Sequence, residues 1–126
     1  MVADIFHIGH LRHLQNAKRH CDYLIVGCLT DAATMEKKAK PIMSFEERLE
    51  ILHSIKFIDE VVPQYTYSPL ENVERIKPDV LMESDSHEDM PANKFVKSYG
   101  GVVVITPYWF AQSSTSIKQK IRGEEK

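Results

Sequence analysis

Short runs of Val, Ile and Leu alternate along the chain with segments whose apolar residues recur at helical period. A strand that is apolar on both faces must be covered on both, and helices interposed between such strands supply the cover. The alternation therefore predicts a parallel α/β sheet of the Rossmann-like, doubly wound kind. The strand runs are 23–28, 60–62, 80–82 and 102–106. A helix is expected over about 10–20, with Leu11, Leu14 and Ala17 inward and Arg12, Gln15, Lys18 and Arg19 outward. A second opens at Ser44, where Glu47 three residues on completes a capping box, and continues through Leu49, Ile51, Leu52 and Ile55. A third follows Pro69 and stops before Pro78, a fourth covers about 92–99 and ends at Gly100-Gly101, and a last begins near Ser114 with Ile117 and Ile121 inward. Only Met1-Val2-Ala3 precede the first loop, so the first strand is either very short or the chain as given begins late.

At 126 residues, with no internal repeat or linker, the expectation is one domain over 1–126. Sixteen Lys and Arg against 18 Asp and Glu give a net charge of -2, so no global basic field points to nucleic acid or to an anionic membrane. Any anion site must be local. No apolar run approaches the ~20 residues that span a bilayer, and no secretion signal is read at the N-terminus, which predicts a cytoplasmic protein. Cys21 and Cys28 follow neither a metal nor a disulfide pattern and read as buried thiols.

In open α/β sheets, ligands bind where strands hand over to helix N-termini. The first such junction reads Asp4-Ile5-Phe6-His7-Ile8-Gly9-His10-Leu11. A helix N-terminus attracts anions, Gly9 lets a phosphate approach the backbone, and His7 and His10, three apart, can face one side. An adjacent phosphate would favour the charged imidazoles, which would then stabilise a phosphoryl transition state. His13 extends the pattern to HxxHxxH, but at about 100° per residue His7 and His13 would point about 120° apart, and no metal site is assigned.

These residues resemble the HxGH nucleotidyltransferases of the cytidylyltransferase-like group. The resemblance also runs through Asp22-Tyr23-Leu24-Ile25-Val26-Gly27, Thr30-Asp31, Pro41-Ile42, Phe45-Glu46-Glu47-Arg48, Ile58-Asp59-Glu60-Val61-Val62-Pro63, Lys77-Pro78-Asp79-Val80-Leu81 and Ser113-Ser114-Thr115. Glycerol-3-phosphate and ethanolamine-phosphate cytidylyltransferases are most similar, and Gly100-Gly101-Val102 with Ser113-Ser114-Thr115 is also similar to the adenylyltransferase domain that activates heptose phosphate. The resemblance implies an enzyme that takes CTP or ATP with Mg²⁺ carried on the phosphates. An oxygen of a small phosphorylated alcohol or sugar then attacks the α-phosphorus and pyrophosphate leaves. By the match, His7 and His10 hold the triphosphate, Val2 and Ala3 offer backbone contacts, and Lys37, in the run Lys37-Lys38-Ala39-Lys40, reaches the phosphates. Lys56 falls where an acceptor phosphate is held, Ser114 and Thr115 form a second phosphate anchor, and Asp85 lies near the base. Members of the group often pair as homodimers near the first helix.

The match departs from the family pattern before Ser113, where Tyr108 and Ala111 replace an arginine and a glycine, leaving Tyr108 or Trp109 to stack on a base. Glu83-Ser84 likewise replace basic and glycine residues, and Glu83 would repel a polyphosphate unless a cation intervenes.

Overall fold

The structure, a computed structural model, describes residues 1–84 and 88–106. Five helices and four strands alternate among the described residues: α1 (Ile8–Lys18), β1 (Ile25–Leu29), α2 (Asp31–Met35), α3 (Phe45–His53), β2 (Glu60–Gln64), α4 (Leu70–Ile76), β3 (Val80–Ser84), α5 (Met90–Ser98) and β4 (Val102–Thr106). The α/β expectation holds, and every pairing is parallel. Ile25 stands opposite Glu60 and Leu29 opposite Gln64, while Val80 stands opposite Val102 and Ser84 opposite Thr106. Pro63 has no N–H to give a ladder, which suits β2 to an outer edge.

Among the described residues the strands form two separate two-stranded ladders, β1-β2 and β3-β4. Met1 alone makes a further rung on β1: its nitrogen donates to the Gly27 carbonyl at 2.6 Å, and the Leu29 N–H donates to the Met1 carbonyl at 3.0 Å. Donation to one residue and acceptance from the residue two further on is the signature of parallel pairing. A cavity of about 1440 Å³ lies between the ladders. Ile25, Val26, Gly27 and Leu29 of β1 and all of Val80, Leu81, Met82, Glu83 and Ser84 line it, whereas β2 contributes only Val62 and Gln64. Successive strand residues point to opposite faces. A wall of consecutive residues is therefore a strand edge, and β1 and β3 turn their edges toward each other.

The core divides the same way. Ala3, Leu14, Ala17, Leu24, Val26, Cys28 and Leu52 form one buried cluster, with Met82 packed against it, and Val73, Ala92 and Val96 form the other. Leu11, predicted inward, is half-buried, as is Cys21, whose Sγ instead donates to the Ala17 carbonyl.

Helix starts follow their caps. α1 and α5 begin two residues earlier than the apolar stripes predict, because His7 caps the first and Asp89 the second, its carboxylate accepting the Ala92 N–H at 3.1 Å. The Ser44–Glu47 capping box forms as predicted. α2 is too short for a periodic stripe and was not expected; Thr30 caps it by accepting the Ala33 N–H. The predicted helix from Ser114 lies outside the described residues.

Candidate active site

Val2, His7, Gly9, His10 and Lys37 line the same cavity. The histidine rings lie 4.1 Å apart between centroids, and Phe6 stacks on His10 at 5.1 Å. The sequence builds this through a cap made of rings. His7 Nδ1 accepts the Gly9 N–H at 2.9 Å, and His10 Nδ1 accepts the His7 N–H at 3.1 Å. A ring nitrogen that accepts cannot also carry the proton, so both rings are neutral with the proton on Nε2. Burial pushes both imidazoles down, and for His10 burial, then the charge of a protonated His7, carries the value to about 3.

Without a phosphate beside them, the two rings thus differ from the charged pair expected around a bound polyphosphate. The free site presents neutral Nε2–H donors, and two backbone donors expected to meet an anion are already occupied by the rings. What remains positive is the helix end itself, since the first turn of α1 has no acidic residue to offset its dipole. His13 lines the same cavity but has a partner of its own in Thr106. Thr106 Oγ1 donates to the Glu83 carbonyl at 3.2 Å, which leaves it to accept from His13 Nδ1 at 3.3 Å. Among the described residues no group of three or more His, Cys, Asp or Glu side chains gathers to hold a metal ion.

Other predicted residues separate. Ala3 is fully buried in the core with φ 59°, beneath the cradle rather than on its surface. Lys56 is exposed and does not line the cavity. Asp85, Ser114, Thr115, Tyr108 and Trp109 lie outside the described residues. Glu83 is buried and turns both oxygens to the Asp89 N–H, at 3.3 and 3.2 Å, with burial pushing its carboxyl up.

The structure adds one residue to which the sequence reading gave no role. Arg48 is fully buried. Its guanidinium donates to the carbonyls of Val2 at 2.8 Å, Leu29 at 2.7 Å and Met43 at 3.3 Å, and to Asp31 at 2.7 Å. It ties the cradle's first residues to the end of β1. The signal was present: Arg48 stands four residues before Leu52, on the inner stripe of α3.

The sequence model of the cytidylyltransferase-like family matches residues 2–120. "Bifunctional protein HldE" of Syntrophotalea carbinolica is 34% identical over 122 residues, covering 94% of this chain and 25% of its own length. The protein of the same name from Geobacter metallireducens is 35% identical over 129 residues, covering 97% and 26%. This chain thus spans about a quarter of the length of these relatives. Among solved structures, the lipopolysaccharide core biosynthesis protein from Thermoplasma volcanium superposes with a TM-score of 0.73 over 86% of this chain and 91% of that one, at 24% identity, a likeness of fold. No helix among the described residues is long and apolar enough to cross a membrane. The near-complete family match, together with the HxGH junction at the mouth of the cavity, means that the chain belongs to the cytidylyltransferase-like family of nucleotidyltransferases.

Proposed function

We propose that this chain transfers an adenylyl group from ATP to a phosphorylated sugar. A phosphate oxygen of the acceptor forms a bond to the α-phosphorus, the bond from that phosphorus to the bridging oxygen breaks, and pyrophosphate leaves with the electron pair. The observation that carries the reading is the pair of imidazoles fixed as Nε2–H donors at an unneutralised helix N-terminus. Such a reaction requires in-line positioning and stabilisation of charge on phosphoryl oxygens, which preorganised neutral donors provide without reorganising. Lys37 would add a point charge from across the cavity mouth. Mg²⁺ would enter on the triphosphate and neutralise part of its charge. The relatives named HldE, and the resemblance to the adenylyltransferase domain that activates heptose phosphate, favour ATP and a sugar phosphate over CTP and glycerol phosphate.

The test is a grid of four nucleoside triphosphates against sugar phosphates, glycerol 3-phosphate and ethanolamine phosphate, read by pyrophosphate release. ATP with a sugar phosphate is expected to give the highest turnover, dependent on Mg²⁺. Release with CTP and an alcohol phosphate alone would overturn the choice of substrates. A second reading, a nucleotide-binding module without turnover, is favoured by Tyr108 and Ala111 in place of the family's arginine and glycine. Calorimetric binding with no product from any acceptor would select it.

A further inference from the structure

Asp4 lies in the turn ahead of the histidine cradle and is 2% exposed. Its Oδ2 accepts the Ile42 N–H and its Oδ1 the Met43 N–H, each at 2.9 Å. It is flanked by Ala3 at φ 59° and Ile5 at φ 47°, conformations that residues with a side chain seldom adopt and that persist only where the surroundings over-determine them. The partner segment is gripped from its other side as well. Arg48 Nε donates to the Met43 carbonyl at 3.3 Å, and its Nη1 donates to the Val2 carbonyl at 2.8 Å. Residues 42–43 end the strap that carries Lys37, Lys38 and Lys40. The strap's other end is fixed where the Lys37 and Lys38 N–H groups donate to the Thr34 carbonyl and the Glu36 carboxylate accepts the Tyr67 N–H. Between these anchors the three lysines are exposed and line the cavity with His7 and His10.

We propose that Asp4 is a positioning residue that fastens the lysine strap to the histidine cradle, so that Lys37 meets the same phosphates the histidines hold. This rests on the nucleotidyl-transfer reading. Simple electrostatics makes the opposite forecast: removing a carboxylate near a polyanion strengthens nucleotide binding. Positioning makes binding weaker when the tether is cut, because the strap loses its register with the rings.

Asp4→Asn keeps the shape and replaces one acceptor oxygen by an amide that faces an N–H. The expected result is a loss of about tenfold or more in kcat/KM for the nucleotide in the wild-type background, and no more than about twofold in a Lys37→Ala background, where the lysine being positioned is already gone. Equal losses in both backgrounds, or a gain in affinity, would overturn the proposal. Limited trypsinolysis after Lys37 and Lys38 gives a readout independent of activity: faster cleavage of folded Asp4→Asn than of wild type is expected, and equal rates overturn the tether. Should Asp4→Asn not fold, Asp4→Glu retains both oxygens on a longer stem and carries the same cycle. If the wild-type chain releases no pyrophosphate, the transfer reading fails separately, and the cycle is read on nucleotide affinity by calorimetry. Absence of nucleotide binding there removes the role of Lys37 and the proposal with it.

Discussion

The half of the molecule built on β1 and β2 and the half built on β3 and β4 follow one plan, a parallel pair covered by helices, yet differ in how many of their described residues are buried in a core. Seven residues are buried in the core of the first half, which also encloses Arg48 with four oxygen acceptors. Among the described residues three are buried in the second. His7 and His10 belong to the first half, and Lys37 hangs from it by way of Asp4. The residues proposed to hold the phosphates thus belong to the half with more of its described residues buried.

Substitutions of graded severity can break or sharpen this contrast. The largest effect is expected for Arg48→Met, which leaves the Val2 and Leu29 carbonyls without their donor. A loss of about 3–5 kcal/mol in urea unfolding is predicted, and a loss below about 1 kcal/mol would show that the first half does not depend on that centre. His10→Ala should lower pyrophosphate release by about 10²–10³-fold, as removal of one preorganised donor does elsewhere. Its thermal midpoint should fall only by the amount of a lost helix cap, roughly 1 kcal/mol. Full activity in this variant would place the chemistry in some other part of the molecule.

The two cores can be compared directly. Leu52→Ala should lose about 2–5 kcal/mol and Val96→Ala about 2 kcal/mol or less, measured by chemical unfolding; a reversed order contradicts the contrast. Acid titration separates them further. The folded pKa of His10 is depressed to about 3, so the folded state resists a proton that the unfolded state accepts below about 6.5. Stability is therefore unaffected above that pH and falls by up to about 1.4 kcal/mol per pH unit as pH drops from about 6.5 toward 3. His10→Ala should flatten this slope. The smallest effect is expected for Gly27→Ala, whose new Cβ would lie 2.7 Å from Gln64 Oε1. Displacing that side chain loosens its bonds to the Thr66 and Tyr67 carbonyls, for about 1 kcal/mol by thermal unfolding.

The strands and the capped helices were legible because their signals are local: short apolar runs for β1 through β4, Ser44 with Glu47 for α3, Pro69 and Pro78 bracketing α4. The HxGH spacing was legible in the sequence but the ring-to-backbone cap was not, since it depends on φ and ψ at His7 that no spacing states. Arg48 and Asp4 escaped because their partners lie far away in sequence, 46 residues for Arg48 to Val2 and 38 for Asp4 to Ile42. A charged residue reads as surface until the fold supplies its acceptors. Ala3 erred in the other direction, since only its left-handed backbone and the core above it take it out of reach of a ligand.

The facing edges of β1 and β3 also have a mechanical meaning. Among the described residues no backbone ladder bridges them, and side-chain contacts cross between the halves instead: Met82 packs on the first core, His13 meets Thr106, and Asn72 of α4 donates to the Pro63 carbonyl at 3.1 Å. Side-chain contacts yield to small sliding motions more readily than a row of peptide hydrogen bonds does. The seam between β1 and β3 thus carries no shared ladder among the described residues, and the paired imidazoles line the cavity that it borders.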